Sequence, residues 1–189
     1  MSSWTISFCH PADLAEVADL VNAAYRGEDG YHMGWTSEMG IVDGLRTTRA
    51  ALLEELAASA QMSILLLRDA AELLASVRIE RIVGRDGQPA CYISMLAVRP
   101  SAQGRGVGRA MLQRAEAEGH AAGAQMARMT VVSVRASLIA WYERRGYRRT
   151  GETERFPYED MRFGVPLLPD LEFVVMEKSL GDPKPGTTR

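Results

Sequence analysis

The chain lacks any uninterrupted apolar run suited to a membrane span. Its start, Met1-Ser2-Ser3-Trp4, has neither the basic residues nor the apolar stretch of a secretory signal, so a cytoplasmic protein is expected. Cysteine is scarce. Cys9 and Cys91 have no metal-ligand spacing and read as small buried apolar side chains, ahead of a disulfide or a reactive thiol. The three histidines, His10, His32 and His120, are scattered, with no Ser or Cys nucleophile motif around them and no His-Glu-x-x-His spacing, which argues against a hydrolase or a metal centre. A surplus of positive charge is also missing: the formal net charge of −2 argues against general binding to nucleic acid or a membrane surface. Neither an internal repeat nor a low-complexity segment occurs.

What is present is enough for one buried core. With 189 residues, 47% of them apolar, the expectation is one domain over residues 1–180 and a frayed tail at 181–189 containing Pro183, Pro185 and Gly186. Trp4 to Cys9 alternates as a strand does, and Pro11 suits the first turn of a helix running to about Tyr25. Periodicity fails from Gly27 to Gly44, read as a loop or lid, and a helix from Thr48 to about Ala60 carries Leu52, Leu53 and Leu56 on one side. Ser63 to Leu67, Leu73 to Val83 and Ala90 to Val98 read as strands, the latter two joined by the turn Gly84-Arg85-Asp86-Gly87. A further helix runs to about Ala122 with Leu112, Ala115, Gly119 and Ala122 inward; a strand near Met129 to Val134, another helix, and strands Arg148 to Arg155 and Leu171 to Lys178 complete the pattern. Prolines 157, 166 and 169 mark a loop between the last two strands.

Between strand and helix lies Gln103-Gly104-Arg105-Gly106-Val107-Gly108. Glycines here let the backbone turn sharply and aim several N–H groups at one anion, beside the positive end of the helix that follows. The plainer alternative is a tight connection. Two familiar phosphate loops do not fit: position 109 is arginine where a dinucleotide fingerprint needs glycine, and no Gly-Lys-Ser/Thr tripeptide occurs. Between Arg99 and Arg149 stand ten arginines against three glutamates, Glu116, Glu118 and Glu143, which suits a polyphosphate ligand or simply forms a solvated basic face.

The spacing Gln103-x-x-Gly106-x-Gly108, after a strand ending Val98-Arg99-Pro100, resembles the coenzyme A pyrophosphate loop of the GNAT superfamily of N-acetyltransferases. Downstream, Trp141-Tyr142-Glu143-Arg144-Arg145-Gly146-Tyr147 resembles the superfamily's fourth-helix motif. The resemblance implies an α/β (mixed α+β) fold, with a mostly antiparallel sheet of about seven strands splayed at a cofactor cleft and about four flanking helices. It implies acetyl-CoA as cosubstrate, a small-molecule or peptide amine as acceptor, no metal, and by analogy a homodimer. The pyrophosphate would lie on Gln103, Gly104, Arg105, Gly106, Val107, Gly108 and Arg109. The pantetheine arm would lie between Leu96 and Val134, paired to the backbone at Leu96, Ala97 and Val98.

An N–H near Leu96 could polarise the thioester carbonyl, an aid typically worth about 3 kcal/mol. Tyr142 matches the superfamily's tyrosine acid; the alternative is a core tyrosine bonded elsewhere. Glu80 is the candidate base, against a simple salt bridge with Arg78. Tyr92 stands where many relatives carry glutamate, and Arg135 where many carry asparagine. Tyr25, Tyr31 and Trp35 line the acceptor pocket, or pack a lid on the core. A non-catalytic acyl-coenzyme A sensor and an unrelated nucleotide-binding module are the alternative functions.

Overall fold

The alternating run at the N-terminus forms β1 (Trp4–Phe8). A computed structural model describes residues 4–27, 35, 37–160 and 164–181. Pro11 opens a single 3-10 turn, Pro11–Asp13, in which the Asp13 carboxylate accepts the His10 N–H at 2.8 Å. Helix α1 (Leu14–Arg26) follows and stops at Gly27, where φ is 86°. Within the stretch read as a loop, β2 (Val42–Asp43) pairs with β8 (Val165–Pro166) in a separate two-stranded sheet. Helix α2 (Arg49–Ala58) is capped by Thr48, whose hydroxyl accepts the Ala51 N–H at 3.1 Å; Leu52 is buried while Leu53 is exposed.

The main sheet also contains β3 (Met62–Asp69), β4 (Glu72–Val83), β5 (Pro89–Val98), β6 (Met126–Val132), β7 (Arg148–Arg155) and β9 (Glu172–Ser179), in the order β1-β3-β4-β5-β6-β9-β7. All pairs are antiparallel except β5 and β6, which helix α3 (Val107–Ala121) connects as a crossover. Helix α4 (Ala136–Glu143) bridges β6 and β7. The expected mixed fold of seven strands and four helices is therefore present. β6 starts earlier than expected and ends at Val132, so Val134 falls in the exposed turn before α4. Ala122, expected inside, is exposed.

Apolar side chains occupy both faces of the sheet. One cluster joins Leu65, Leu67, Ile93, Leu96 and Val98 to Met111 and Leu112 of α3 and Ile139 and Tyr142 of α4. The other joins Ile64, Leu66, Met95 and Ala97 to Leu14, Val17 and Val21 of α1. Removing such a fully buried side chain as Met111 costs about 2–5 kcal/mol. Gly119 brings α3 close to β5, since a Cβ there would meet the Cys91 Cβ at 2.6 Å.

Candidate active site

Two sheet irregularities build the site. The parallel pairing of β5 with β6 covers three pairs, Ala90 with Met126, Cys91 with Ala127 and Tyr92 with Arg128, and then stops. Beyond it, Ile93–Val98 and Met129–Val132 diverge with their edges unpaired to each other, which is how an extended ligand can enter the middle of a sheet. Tyr92 closes the floor of the split through a 2.7 Å hydrogen bond between its hydroxyl and that of Thr130.

The second irregularity is a bulge. Ser76 pairs with Ala97 and Arg78 with Ser94, so Val77 alone faces both Met95 and Leu96, and Met95 adopts φ 51°. The extra residue resets the alternation of β5. Met95 and Ala97 pack with α1, while Leu96 and Val98 pack with α3 and α4. A non-glycine residue in the left-handed region costs on the order of 1–3 kcal/mol and collects at functional sites. Nothing in Ser94-Met95-Leu96 announces it.

The glycine loop follows β5 after the short turn Pro100–Ala102. Gly104 and Gly106 have φ of 78° and 86°, and Gly106 caps α3. The first intrahelical bond runs from the Ala110 N–H to the Gly106 carbonyl at 3.0 Å, leaving the N–H groups of Val107, Gly108 and Arg109 without a helical acceptor. An anionic ligand fits this cradle. Arg105 reaches Asp69 at 3.5 Å. Beside the loop, Arg109, Arg144 and Arg145 line a groove of about 450 Å³ with Lys178 and Glu116. Glu116 is already bonded by Lys178, at 2.7 Å, and by the Tyr147 hydroxyl, at 3.1 Å. The Arg145 guanidinium lies 3.4 Å from the Trp141 ring centre, and its buried Nε has no partner among the described residues; burial and the neighbouring Arg144 and Arg109 lower its pKa.

Inside the split, a cavity of about 100 Å³ is lined by Leu96, Met129 to Val132, Tyr142, Tyr25, Glu38, Arg46, Arg78 and Arg135. Tyr142 is 7% exposed, and no hydrogen bond to its hydroxyl occurs among the described residues. Burial first, and Tyr25 second, push its pKa well above the ordinary phenol value, against Arg135 and Arg145. It stays protonated throughout the neutral range. The Tyr25 hydroxyl donates to the Leu96 carbonyl at 3.4 Å, and burial raises its pKa to about 12. Arg135, also buried, donates from Nη2 to the Trp35 carbonyl at 2.5 Å; burial lowers its pKa while Glu38, Tyr25 and Tyr142 oppose the shift.

Trp35 and Glu80 stand differently in the structure from where the sequence suggested. Trp35 lies on the glycine loop: its N–H donates to Gln103 Oε1 at 3.0 Å, and a Cβ on Gly108 would come within 3.0 Å of its ring. Tyr31 lies outside the described residues, as does His32. Glu80 does not line the cavity with Tyr142; its carboxylate accepts the Ser59 hydroxyl at 3.1 Å, and Arg78 pairs with Glu55 instead of Glu80. Glu38 was not among the expected site residues, because it sits where the sequence has no periodicity to orient it.

Residues 44–159 match the family model described as an acetyltransferase (GNAT) domain, and the chain belongs to that family of acetyltransferases. No curated protein matches by sequence. Solved structures share the fold: yncA from Salmonella typhimurium with its cofactor acetyl-CoA has 19% identity and a TM-score of 0.65, covering 98% of this chain and 99% of its own. The ribosomal-protein-S18-alanine N-acetyltransferase from Escherichia coli has 16% identity and a TM-score of 0.63, covering 98% of each chain. An N-acetyltransferase from Staphylococcus aureus Mu50 has 17% identity and a TM-score of 0.66, covering 95% of this chain and 99% of its own. Among the described residues no helix is long and apolar enough to cross a membrane, and no three His, Cys, Asp or Glu side chains form a group that could hold a metal.

Proposed function

We propose that the protein transfers the acetyl group of acetyl-CoA to a primary amine, by direct attack within a ternary complex. The observation that carries this reading is the Tyr142 hydroxyl in the split between β5 and β6, without a hydrogen bond among the described residues, next to a glycine loop whose N–H groups at Val107 to Arg109 have no helical acceptor. The loop N–H groups from Gly104 to Arg109 bind the pyrophosphate, and the groove of Arg109, Arg144 and Arg145 suits the further phosphate of coenzyme A. The unpaired edge of β5 offers the pantetheine amides a strand to pair with, and the backbone at the Met95 bulge faces the thioester.

In the reaction the neutral amine nitrogen forms a bond to the acetyl carbon, the tetrahedral intermediate collapses, and the carbon–sulfur bond breaks. The departing sulfur takes a proton from Tyr142, which recovers one from the site as the product nitrogen loses its own. A phenol held above its ordinary pKa transfers that proton as the new bond to sulfur forms, and is not ionised beforehand. Glu80 would reach the acceptor only through water, because it lies outside the cavity lining.

Thiol release from acetyl-CoA in the presence of an amine library tests the reading. Amine-dependent release with an acetylated product supports it; tight acetyl-CoA binding with no release against any amine supports the sensor alternative.

A further inference from the structure

The acceptor end of the cavity holds two polar groups that are fixed and only partly bonded. Glu38 and Arg78 both line it, from the side of α1 and α2, while Tyr142 reaches it from α4. Glu38 Oε2 accepts Arg26 Nη1 at 2.5 Å with both side chains mostly buried, 13% and 12% exposed, and no donor reaches Oε1 among the described residues. Arg78 donates Nε to the Ser94 hydroxyl at 2.9 Å and Nη1 to Glu55, with its side chain 18% exposed; Nη2 has no acceptor among the described residues. Two of the three guanidinium nitrogens are therefore anchored, and the third is left to the cavity.

We propose that the acceptor is a compact amine that also carries an anion, a carboxylate or a phosphorus oxyanion, with Glu38 receiving its ammonium and Arg78 its anion. This rests on the acetyl-transfer reading above. A guanidinium held at two nitrogens presents its third to the cavity in a fixed direction, and a planar oxyanion is the partner its geometry suits best. The same holds for the free oxygen of Glu38 and an ammonium. The cavity of about 100 Å³ that holds Glu38 and Arg78 also takes the thioester end of acetyl-CoA, which leaves room beside it for an acceptor of few atoms. Together the two groups discriminate because an acceptor that lacks either half leaves one of these contacts unmade.

The test uses thiol release with the unaltered protein and matched pairs of amines: amino acids and aminoalkylphosphonates, each beside the alkylamine of the same length that lacks the anion. The anion-bearing member should have the higher kcat/KM by on the order of 10-fold or more. Arg78→Gln should collapse that ratio, and Arg78→Lys should recover part of it. Glu38→Gln should raise KM for both members of a pair. Equal or reversed preference in the unaltered protein, or an unchanged ratio in a normally melting Arg78→Gln variant, overturns the assignment while leaving acetyl transfer intact. Failure of every amine to release thiol, in protein that binds acetyl-CoA by calorimetry, overturns acetyl transfer itself and this inference with it.

Discussion

The indoles of Trp35 and Trp141 stack with ring centroids 4.6 Å apart and planes 23° apart, directly beside Gly108 of the glycine loop. Trp35 also takes the Gln103 side-chain oxygen and the Arg135 guanidinium. It therefore joins the loop, α4 and the turn before α4 at the entrance to the split sheet. A ligand approaching the loop over Gly108 meets that indole first.

Trp35→Ala should accordingly tighten acetyl-CoA binding. An aromatic pair of this kind contributes about 0.5–1.5 kcal/mol, so if the ligand must displace the indole, its removal should lower Kd by about 2- to 10-fold. Titration calorimetry of both proteins reads this directly. Weaker binding in the variant would mean that Trp35 serves as part of the bound cofactor's own wall.

Gly106 should separate strain from charge. Its φ of 86° makes any side chain unfavourable, yet a Cβ there meets nothing within 4 Å. Gly106→Ala should thus cost about 1–2 kcal/mol of stability for conformation. Gly106→Glu adds a carboxylate where a pyrophosphate is to bind, and should lower acetyl-CoA affinity by on the order of 100-fold or more in protein that still folds. Unchanged affinity in a folded Gly106→Glu variant would remove the phosphate-cradle assignment.

Stability should fall at alkaline pH in two steps. Burial raises the Cys91 thiol to about 11, against a backbone hydrogen bond at Glu80, and raises the Tyr25 phenol to about 12. Folded protein keeps these protons at a pH where the unfolded chain has released them, so the stabilisation is complete below the unfolded pKa and is lost as pH rises through the folded one. For Cys91, at 1% exposure, that window is pH 9 to 11 and the loss is roughly 3 kcal/mol. Thermal melts from pH 8 to 12 should decline through this window, and Cys91→Ala should lessen the decline in its first part, where the half-buried Cys9 thiol, raised by burial to about 11, also contributes. A melting temperature flat from pH 9 to 11 would show that the thiol is not held protonated.

The motifs legible in the sequence are those whose meaning is local. Gly106 shows its left-handed φ by being glycine, and Tyr142 sits at a fixed spacing before Gly146 and Tyr147. The bulge at Met95 has no such marker: a methionine holds φ 51° because packing of Met95 against α1 and Leu96 against α3 forces the reset. Val134, one residue beyond Ser133, continues the valine-rich β-prone stretch past the strand and masks the end of β6 at Val132. Glu38, Trp35 and the pairing of Val42 with Pro166 depend on contacts distant in sequence, in a stretch with no period to read. The Arg78–Glu80 spacing suggested one partnership, but α2 supplies Glu55 to Arg78 and ends at Ser59, which bonds Glu80.

Tyr142 decides the chemistry. A phenol that merely packs would have its hydroxyl bonded to protein, as Tyr25 and Tyr147 do, but no hydrogen bond to that of Tyr142 occurs among the described residues. Tyr142→Phe keeps the ring edge-on to Trp141 at 5.0 Å and to Tyr147 at 5.7 Å, and it removes no hydrogen bond. Stability should therefore change by less than about 1 kcal/mol. If the hydroxyl protonates the departing sulfur, kcat should fall on the order of 100-fold while acetyl-CoA affinity stays within a few-fold. Because burial holds the phenol protonated well past pH 10, the unaltered enzyme should show no loss of kcat on the alkaline side that tracks an ordinary tyrosine. Steady-state kinetics across pH, beside a thermal melt of the variant, checks both statements. Near-normal turnover in Tyr142→Phe would pass the proton to water and leave this tyrosine a wall of the cleft.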